Sequence, residues 1–352
     1  MKYFMPLILI LLFSCSKPSK TEPQDNFTLS ADLSSLPMLE SKNIIFYEDS
    51  VATGMLRIMY DNGFRTIRMR LWKNPAEGHS GFAEVKAFAK KVHSYGMKVW
   101  LSVHYSDTWA DPGQQSPPAE WEGLTFNDLK DSAYNYTVKI MKEIKPDIIQ
   151  IGNEINQGFI LPYGDIYENE GGFLDLVSRC SKAVRDNSSA KIMIHYAGYK
   201  GSLSFFSKLQ NIDYDLIGLS YYPIWHGKNL DSLKYIMNSL SSAYGKRVAI
   251  AETAYPFTLM WNDWTNNIVG MKDQLILPDF PATENGQGKF FEAIVNMVKN
   301  EEMGFGVSYW GAELVAFNGP EAKDGSPWEN QAFFDFNNQS LPILKVLSSK
   351  TP

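Results

Sequence analysis

The chain has 352 residues, 44% hydrophobic and 14% aromatic, with nine Trp and a formal net charge of −6. That length is ample for one large core, and the negative balance excludes a surface built for nucleic acid or another polyanion. Two Cys, at positions 15 and 180, exclude a disulfide scaffold.

Lys2 gives a positive start, and Met5 to Phe13 is an apolar run too short to span a bilayer. The run stops at Leu12-Phe13-Ser14-Cys15, which resembles a bacterial lipoprotein signal, where cleavage leaves the Cys as an acylated N-terminus. An ordinary secretory signal with an incidental Cys is the alternative. Residues 1–15 are thus expected to be a signal peptide ending in a lipidated Cys15, and residues 16–26 a flexible polar tether. The expected destination is the bacterial outer membrane, facing either the cell surface or the periplasm. Acylation of Cys15 leaves Cys180 alone, which reads as a small core residue of a helix. Residues 27–352 form one folded domain.

Eight short apolar or β-branched runs follow in order: Leu29–Leu33, Thr66–Leu71, Lys98–Val103, Asp147–Gly152, Lys191–His195, Asp215–Ser220, Arg247–Ala251 and Gly304–Tyr309. Several lack clean alternation, as strands covered on both sides do. Between them lie amphipathic stretches. Phe82–Tyr95 places Val85, Phe88, Ala89 and Val92 on one side and ends before Gly96; Asp128–Ile144 and Gly288–Val298 behave alike. Eight strand-helix units predict a single-domain α/β fold, a (β/α)8 TIM barrel. The runner-up, an open doubly wound sheet, lacks a glycine-rich loop after its first strand.

Polar and aromatic residues gather just after the strands. His104 to Pro112 follows the third, Tyr221-Tyr222-Pro223-Ile224-Trp225-His226 the sixth, and Trp310 the eighth. In a barrel all of these line one face, where catalytic groups of such folds sit. Glu154 ends Ile151-Gly152-Asn153-Glu154 and Glu252 ends Ala249-Ile250-Ala251-Glu252, each at the far end of an apolar run. A single Glu at a strand end is more simply a cap or an ion-pair partner. Two together are the minimum equipment for cleaving a glycosidic bond, one as acid and one as nucleophile.

Asn153 can donate its amide to a sugar hydroxyl, or can simply form a turn. Arg68, inside an apolar run, is costly to bury unpaired and is expected to point into the barrel, holding a carboxylate ionised. Arg70 either faces outward or does the same job. Of the five His (79, 93, 104, 195 and 226), His104 and His195 end strands and can bond the substrate or the acids. A metal centre built from these two lacks paired ligand spacing and is the minor reading. No Gly-x-Ser-x-Gly elbow offers an acyl-transfer nucleophile.

These residues resemble glycoside hydrolase family 53, the arabinogalactan endo-β-1,4-galactanases, in a bacterial lipoprotein form. The resemblance runs from Ala31-Asp32-Leu33 to Trp328-Glu329-Asn330-Gln331. It rests on Arg68-x-Arg70-Leu71-Trp72, the ten residues His104 to Gly113, Gln150-Ile151-Gly152-Asn153-Glu154, Ser220-Tyr221-Tyr222-Pro223 and Ala251-Glu252-Thr253. It implies a retaining mechanism with Glu154 as general acid/base and Glu252 as nucleophile. The implied substrate is β-1,4-galactan, with galacto-oligosaccharides, and a monomer is expected. Trp109, Asp111, Trp225 and Trp310 are implied to form subsites, with Asp32 orienting the site from below and Asp107 and Tyr221 among the substrate contacts. Related bacterial enzymes carry a calcium loop after the nucleophile. Here Trp261 to Asn267 has one carboxylate, so neither metal nor cofactor is expected. Trp310-Gly311-Ala312-Glu313 also departs from the family's Trp-Glu-Pro-Ala. The alternatives are a lipoprotein that captures glycan without cleaving it, and another activity of the same clan, such as β-mannanase.

Overall fold

The computed structural model describes Met1 and residues 27–345. The expected signal peptide, lipidated Cys15 and tether fall outside the described residues. Eight strands form a closed parallel barrel: β1 (Thr28–Asp32), β2 (Thr66–Leu71), β3 (Lys98–Val103), β4 (Ile148–Ile151), β5 (Lys191–Ala197), β6 (Leu216–Ser220), β7 (Arg247–Thr253) and β8 (Gly304–Tyr309). Each pairs with its neighbours in sequence, and β8 returns to β1 through Thr28↔Gly306 to Ala31↔Tyr309. This is the (β/α)8 architecture expected. A small antiparallel pair, Tyr47–Glu48 with Val51–Ala52, stands outside the barrel.

The fourth strand is shorter than expected because Gly152 adopts φ +78°, where an added Cβ would meet Ile155 Cγ2 at 2.4 Å. The helix over 284–299 starts before Gly288, capped by Thr283, whose Oγ1 accepts from Gly286 N–H at 3.0 Å. Gly286 and Gly288 conceal that first turn in the sequence. Thr125, Asn169 and Asn229 cap the helices Phe126–Glu143, Glu170–Asn187 and Leu230–Tyr244 in the same way, each satisfying an N–H without an intrahelical partner.

Strand alternation sorts the side chains into two cores. Ile67, Leu101, Ile149, Ile194, Ile217 and Ile250 belong to the shell between strands and helices, all fully buried; each such aliphatic contributes about 1.5–3 kcal/mol. Cys180 is buried in that shell as a free thiol. The opposite parity fills the barrel. At the bottom, Trp100, Ile148, Met193, Leu216, Ala249, Ala251 and Phe305 form an apolar plug. Above it strands β2 to β6 carry Arg68, Ser102, Gln150, His195 and Ser220, all buried. The plug seals one end, and the polar layer faces the other.

Candidate active site

The polar layer is organised by Arg68, which is 1% exposed and reaches four partners. Its guanidinium donates to Asp32 Oδ2 at 2.6 Å, Gln150 Oε1 at 2.8 Å, Asn153 Oδ1 at 3.0 Å and Glu252 Oε1 at 2.7 Å. A buried cation between two carboxylates is compensated on both sides, as burial of charge requires. Arg70 shares the parity of Arg68 and also faces in, with its guanidinium 4.4 Å from the ring centre of Trp109 and 4.7 Å from that of Trp72.

Glu252 reaches this layer through a β-bulge. Leu219 pairs with Ile250 but Ser220 pairs with Glu252, so Ala251 is an extra residue in β7. Ala251 already faces the barrel interior, and simple alternation would turn Glu252 outward. The bulge re-aims it. Glu154 arrives by another distortion. After Gly152 the chain turns through Asn153 and places Glu154 at φ +49°, a left-handed conformation uncommon for a residue with a side chain. Ile155 N–H then anchors the turn on His195 O at 3.0 Å.

The two carboxyl groups meet. Glu154, Glu252 and His195 present ligand-type atoms all within 4.8 Å of one another. Tyr222 hydroxyl donates to Glu252 Oε2 at 3.0 Å, so Glu252 has a donor on each oxygen. Ser220 hydroxyl donates to Glu154 Oε1. Burial, then repulsion from Glu252, push Glu154 up to about 8, although Ser220 and Arg68 pull it back. Burial raises Glu252 too, opposed by Arg68 and Tyr222. Of the pair, Glu154 binds the proton and Glu252 keeps the charge that Arg68 neutralises.

The carboxylates open into a cleft of about 470 Å³ lined by Trp109, Asp111, Asn153, Tyr222, Trp225, Trp310 and Trp328, among others. The aromatic rings touch in series: Trp109–Trp310 at 5.9 Å, Trp310–Trp328 at 6.2 Å, Trp328–Trp225 at 6.1 Å and Trp225–Tyr222 at 5.1 Å between centres. Such a cage offers flat apolar faces beside charged groups, which suits a sugar ring.

Of the residues expected at the site, Glu154, Glu252, Trp109, Asp111, Asn153, Trp225 and Trp310 line this cleft. Asp32, Arg68, His104 and His195, also expected to bind substrate, lie beneath it, each 3% exposed or less, and their described hydrogen bonds go to other protein groups. His104 Nδ1 accepts from Ala110 N–H at 3.0 Å, bracing the loop that carries Trp109. Two expectations are corrected. Tyr221 is fully buried on the helix side, stacked near Phe290 with its hydroxyl donating to Gly227 O. Ser220 points in, so its neighbour Tyr221 points out and Tyr222 is the residue that reaches the cleft. Asp107 spends both oxygens on backbone N–H groups of Asn74 and Ala119, at 2.9 Å each; it shapes the loop.

Sequence reasoning did not expect Ser220 or Trp328 at the site, and it held Tyr222 and His226 only as members of the cluster after the sixth strand without singling them out. Alternation from Ser220 signals Tyr222. Trp328, far beyond the last strand, carries no such signal. The Glu154–His195–Glu252 group could also hold a metal ion. Both His195 nitrogens are engaged, by Ser220 at 2.9 Å and by Asn153 and Glu154 N–H at 3.2 and 3.4 Å, and Arg68 already supplies the positive charge. This donor set does not suit a metal.

The model of glycosyl hydrolase family 53 matches residues 28–347. An arabinogalactan endo-β-1,4-galactanase of Cellvibrio japonicus is 32% identical over 339 residues, 90% of this chain and 89% of that protein. The structure of an Ignisphaera aggregans GH53 catalytic domain superposes with TM-score 0.86 at 34% identity, covering 94% of this chain and 98% of that one. A fungal β-1,4-galactanase structure gives TM-score 0.79 at 26% identity, with coverage of 92% and 99%.

Proposed function

The chain belongs to glycosyl hydrolase family 53, and from that premise we infer that it is an arabinogalactan endo-β-1,4-galactanase. It hydrolyses internal β-1,4-galactosidic bonds of galactan, its substrate partner. The observation that carries the chemistry is the approach of Glu154 and Glu252 oxygens to within 4.8 Å in an aromatic cleft. An approach this close lies below the roughly 6.5–9.5 Å spacing of inverting enzymes and supports the retaining reading.

Glu252, ionised against Arg68, attacks the anomeric carbon while Glu154 gives its proton to the departing glycosidic oxygen. The C–O bond breaks and a galactosyl-Glu252 ester forms. Water then attacks the anomeric carbon, Glu154 takes its proton, and Glu252 leaves as carboxylate, so the configuration is retained. Asn153 donates one amide hydrogen to Ala110 O at 2.9 Å and keeps a second for a sugar hydroxyl. The test is to incubate enzyme with galactan and follow the anomer of the first product by NMR, with Glu154→Ala and Glu252→Ala alongside. The β-anomer is expected first, and both variants should bind galactan without hydrolysing it. An α-anomer appearing first, or near wild-type turnover in either variant, would overturn the roles.

The enzyme is further proposed to act as a monomer tethered to the outer membrane through lipidated Cys15. The supporting observation is the sequence Leu12-Phe13-Ser14-Cys15 ahead of a polar tether. We assign no calcium to the loop after β7. Asp263 and Glu329 each commit one oxygen to loop N–H groups. Their other oxygens, with Asn267 Oδ1, are three buried side-chain atoms lacking a hydrogen-bond partner, so calcium here would have to draw half or more of its six to eight oxygens from backbone carbonyls and water. Burial, and then the charge of Asp263, raise Glu329, while the N–H groups it accepts from pull it back.

A further inference from the structure

Beneath the acid/base lies a pair of buried groups that touch no substrate surface. Ser220, at the end of β6, and His195, near the end of β5, are both fully buried. Ser220 Oγ contacts Glu154 Oε1 on one side and His195 Nε2 at 2.9 Å on the other. His195 Nδ1 faces two groups from the Glu154 turn, Asn153 Oδ1 at 3.2 Å and Glu154 N–H at 3.4 Å.

Counting hydrogens gives this network one consistent assignment. Asn153 Oδ1 already accepts from Arg68 at 3.0 Å and from Ser102 hydroxyl at 3.1 Å. Its two lone pairs are filled, so a hydrogen on His195 Nδ1 would have no acceptor there. An unprotonated Nδ1 instead accepts from Glu154 N–H. Burial and the nearby Arg68 keep His195 neutral, so its one hydrogen sits on Nε2 and goes to Ser220 Oγ. The single Ser220 hydrogen is then left for Glu154 Oε1.

We propose that His195 and Ser220 form a positioning relay that commits Glu154 Oε1 as a permanent acceptor, so that the catalytic proton rides on Oε2. The proposal rests on Glu154 being the acid/base. Both of that residue's working states keep the same frame: protonated on Oε2 when it donates to the leaving oxygen, ionised when it accepts from water. Nothing in the relay has to move or change its own proton between the two half-reactions. A carboxyl without this clamp could rotate, or carry its proton on the oxygen turned into the protein. The other charged or titratable groups facing Glu154 are Arg68 on β2, Asp111 after β3, Tyr222 and His226 after β6, and Glu252 on β7, and none donates to Oε1.

The test compares kcat/KM on galactan, whose leaving group needs a proton, with that on 2,4-dinitrophenyl β-galactobioside, whose leaving group does not. Ser220→Ala should lower the first by about 10–100-fold and the second by less than about 3-fold. The basic limb of its galactan profile should move to higher pH, because the lost hydrogen bond favoured the ionised form of Glu154. His195→Phe, which frees the Ser220 hydroxyl, should show the same split more weakly, with melting curves verifying that both variants fold. Equal losses on the two substrates, or wild-type values on both, would overturn the relay. Glu154→Ala separates the two ideas. If it shows no leaving-group dependence the acid assignment fails, whereas a dependence in Glu154→Ala with none in Ser220→Ala refutes the relay alone.

Discussion

Replacing Glu154 by Gln should stabilise the protein, and by an amount that grows with pH. Burial, and then the charge of Glu252, push Glu154 from the ordinary 4.5 up to about 8. Between these values the folded protein holds a proton that the unfolded chain has released, so unfolding free energy falls as pH rises. Below pH 4.5 both states are protonated and the difference disappears; above 8 it levels off. At about 1.36 kcal/mol per pH unit, the span corresponds to an upper bound of roughly 5 kcal/mol. Gln keeps an acceptor for Ser220 and carries no charge, so it removes this cost at every pH. The gap between variant and wild type should be under about 1 kcal/mol at pH 4.5 and on the order of 3–5 kcal/mol at pH 8.5. In melting temperature that is about 2 °C per kcal/mol for a domain of this size. Guanidinium unfolding of both proteins at the two pH values measures it. A gap that stays constant from pH 4.5 to 8.5 would show that Glu154 is not held protonated by its surroundings.

Arg68→Met should destabilise the fold by about 3–5 kcal/mol, because it leaves Asp32 and Glu252 buried without their cation. Adding Asp32→Asn should recover part of that loss in chemical denaturation, and no recovery would mean that packing, not charge, dominates. For the membrane tether, Cys15→Ala should shift the protein from the membrane fraction to the soluble fraction of cells. Unchanged membrane association would count against acylation.

Much of the site follows from short-range rules. Arg68 and Arg70 stand two apart on one strand and therefore share a face, as do Trp100 and Ser102 on the next. The ends of the eight apolar runs place Arg68, Asn153 and Glu154 in one barrel mouth, whereas the direction of Arg70, open in the sequence, is fixed by the parity it shares with Arg68 once the strand is in the barrel. The helix starts were harder. Gly286 and Gly288 blurred the last long helix, since its cap depends on the single side chain of Thr283.

Sequence alone determined the barrel, the end on which its polar residues gather and the two glutamates that meet there, because strand length, burial and the end of each apolar run are local properties. Tertiary structure decided the rest. The bulge at Ala251 is a mismatch between two strands and exists only once they pair, yet it turns Glu252 inward. Tyr222 rather than Tyr221 reaches the cleft because parity is counted from Ser220, whose direction the barrel sets. Asp107 proved to be committed to Asn74 and Ala119, and Trp328 closes the aromatic cage from a loop beyond the final strand. Each of these depends on chain segments distant in sequence, whose approach only the closed barrel brings about.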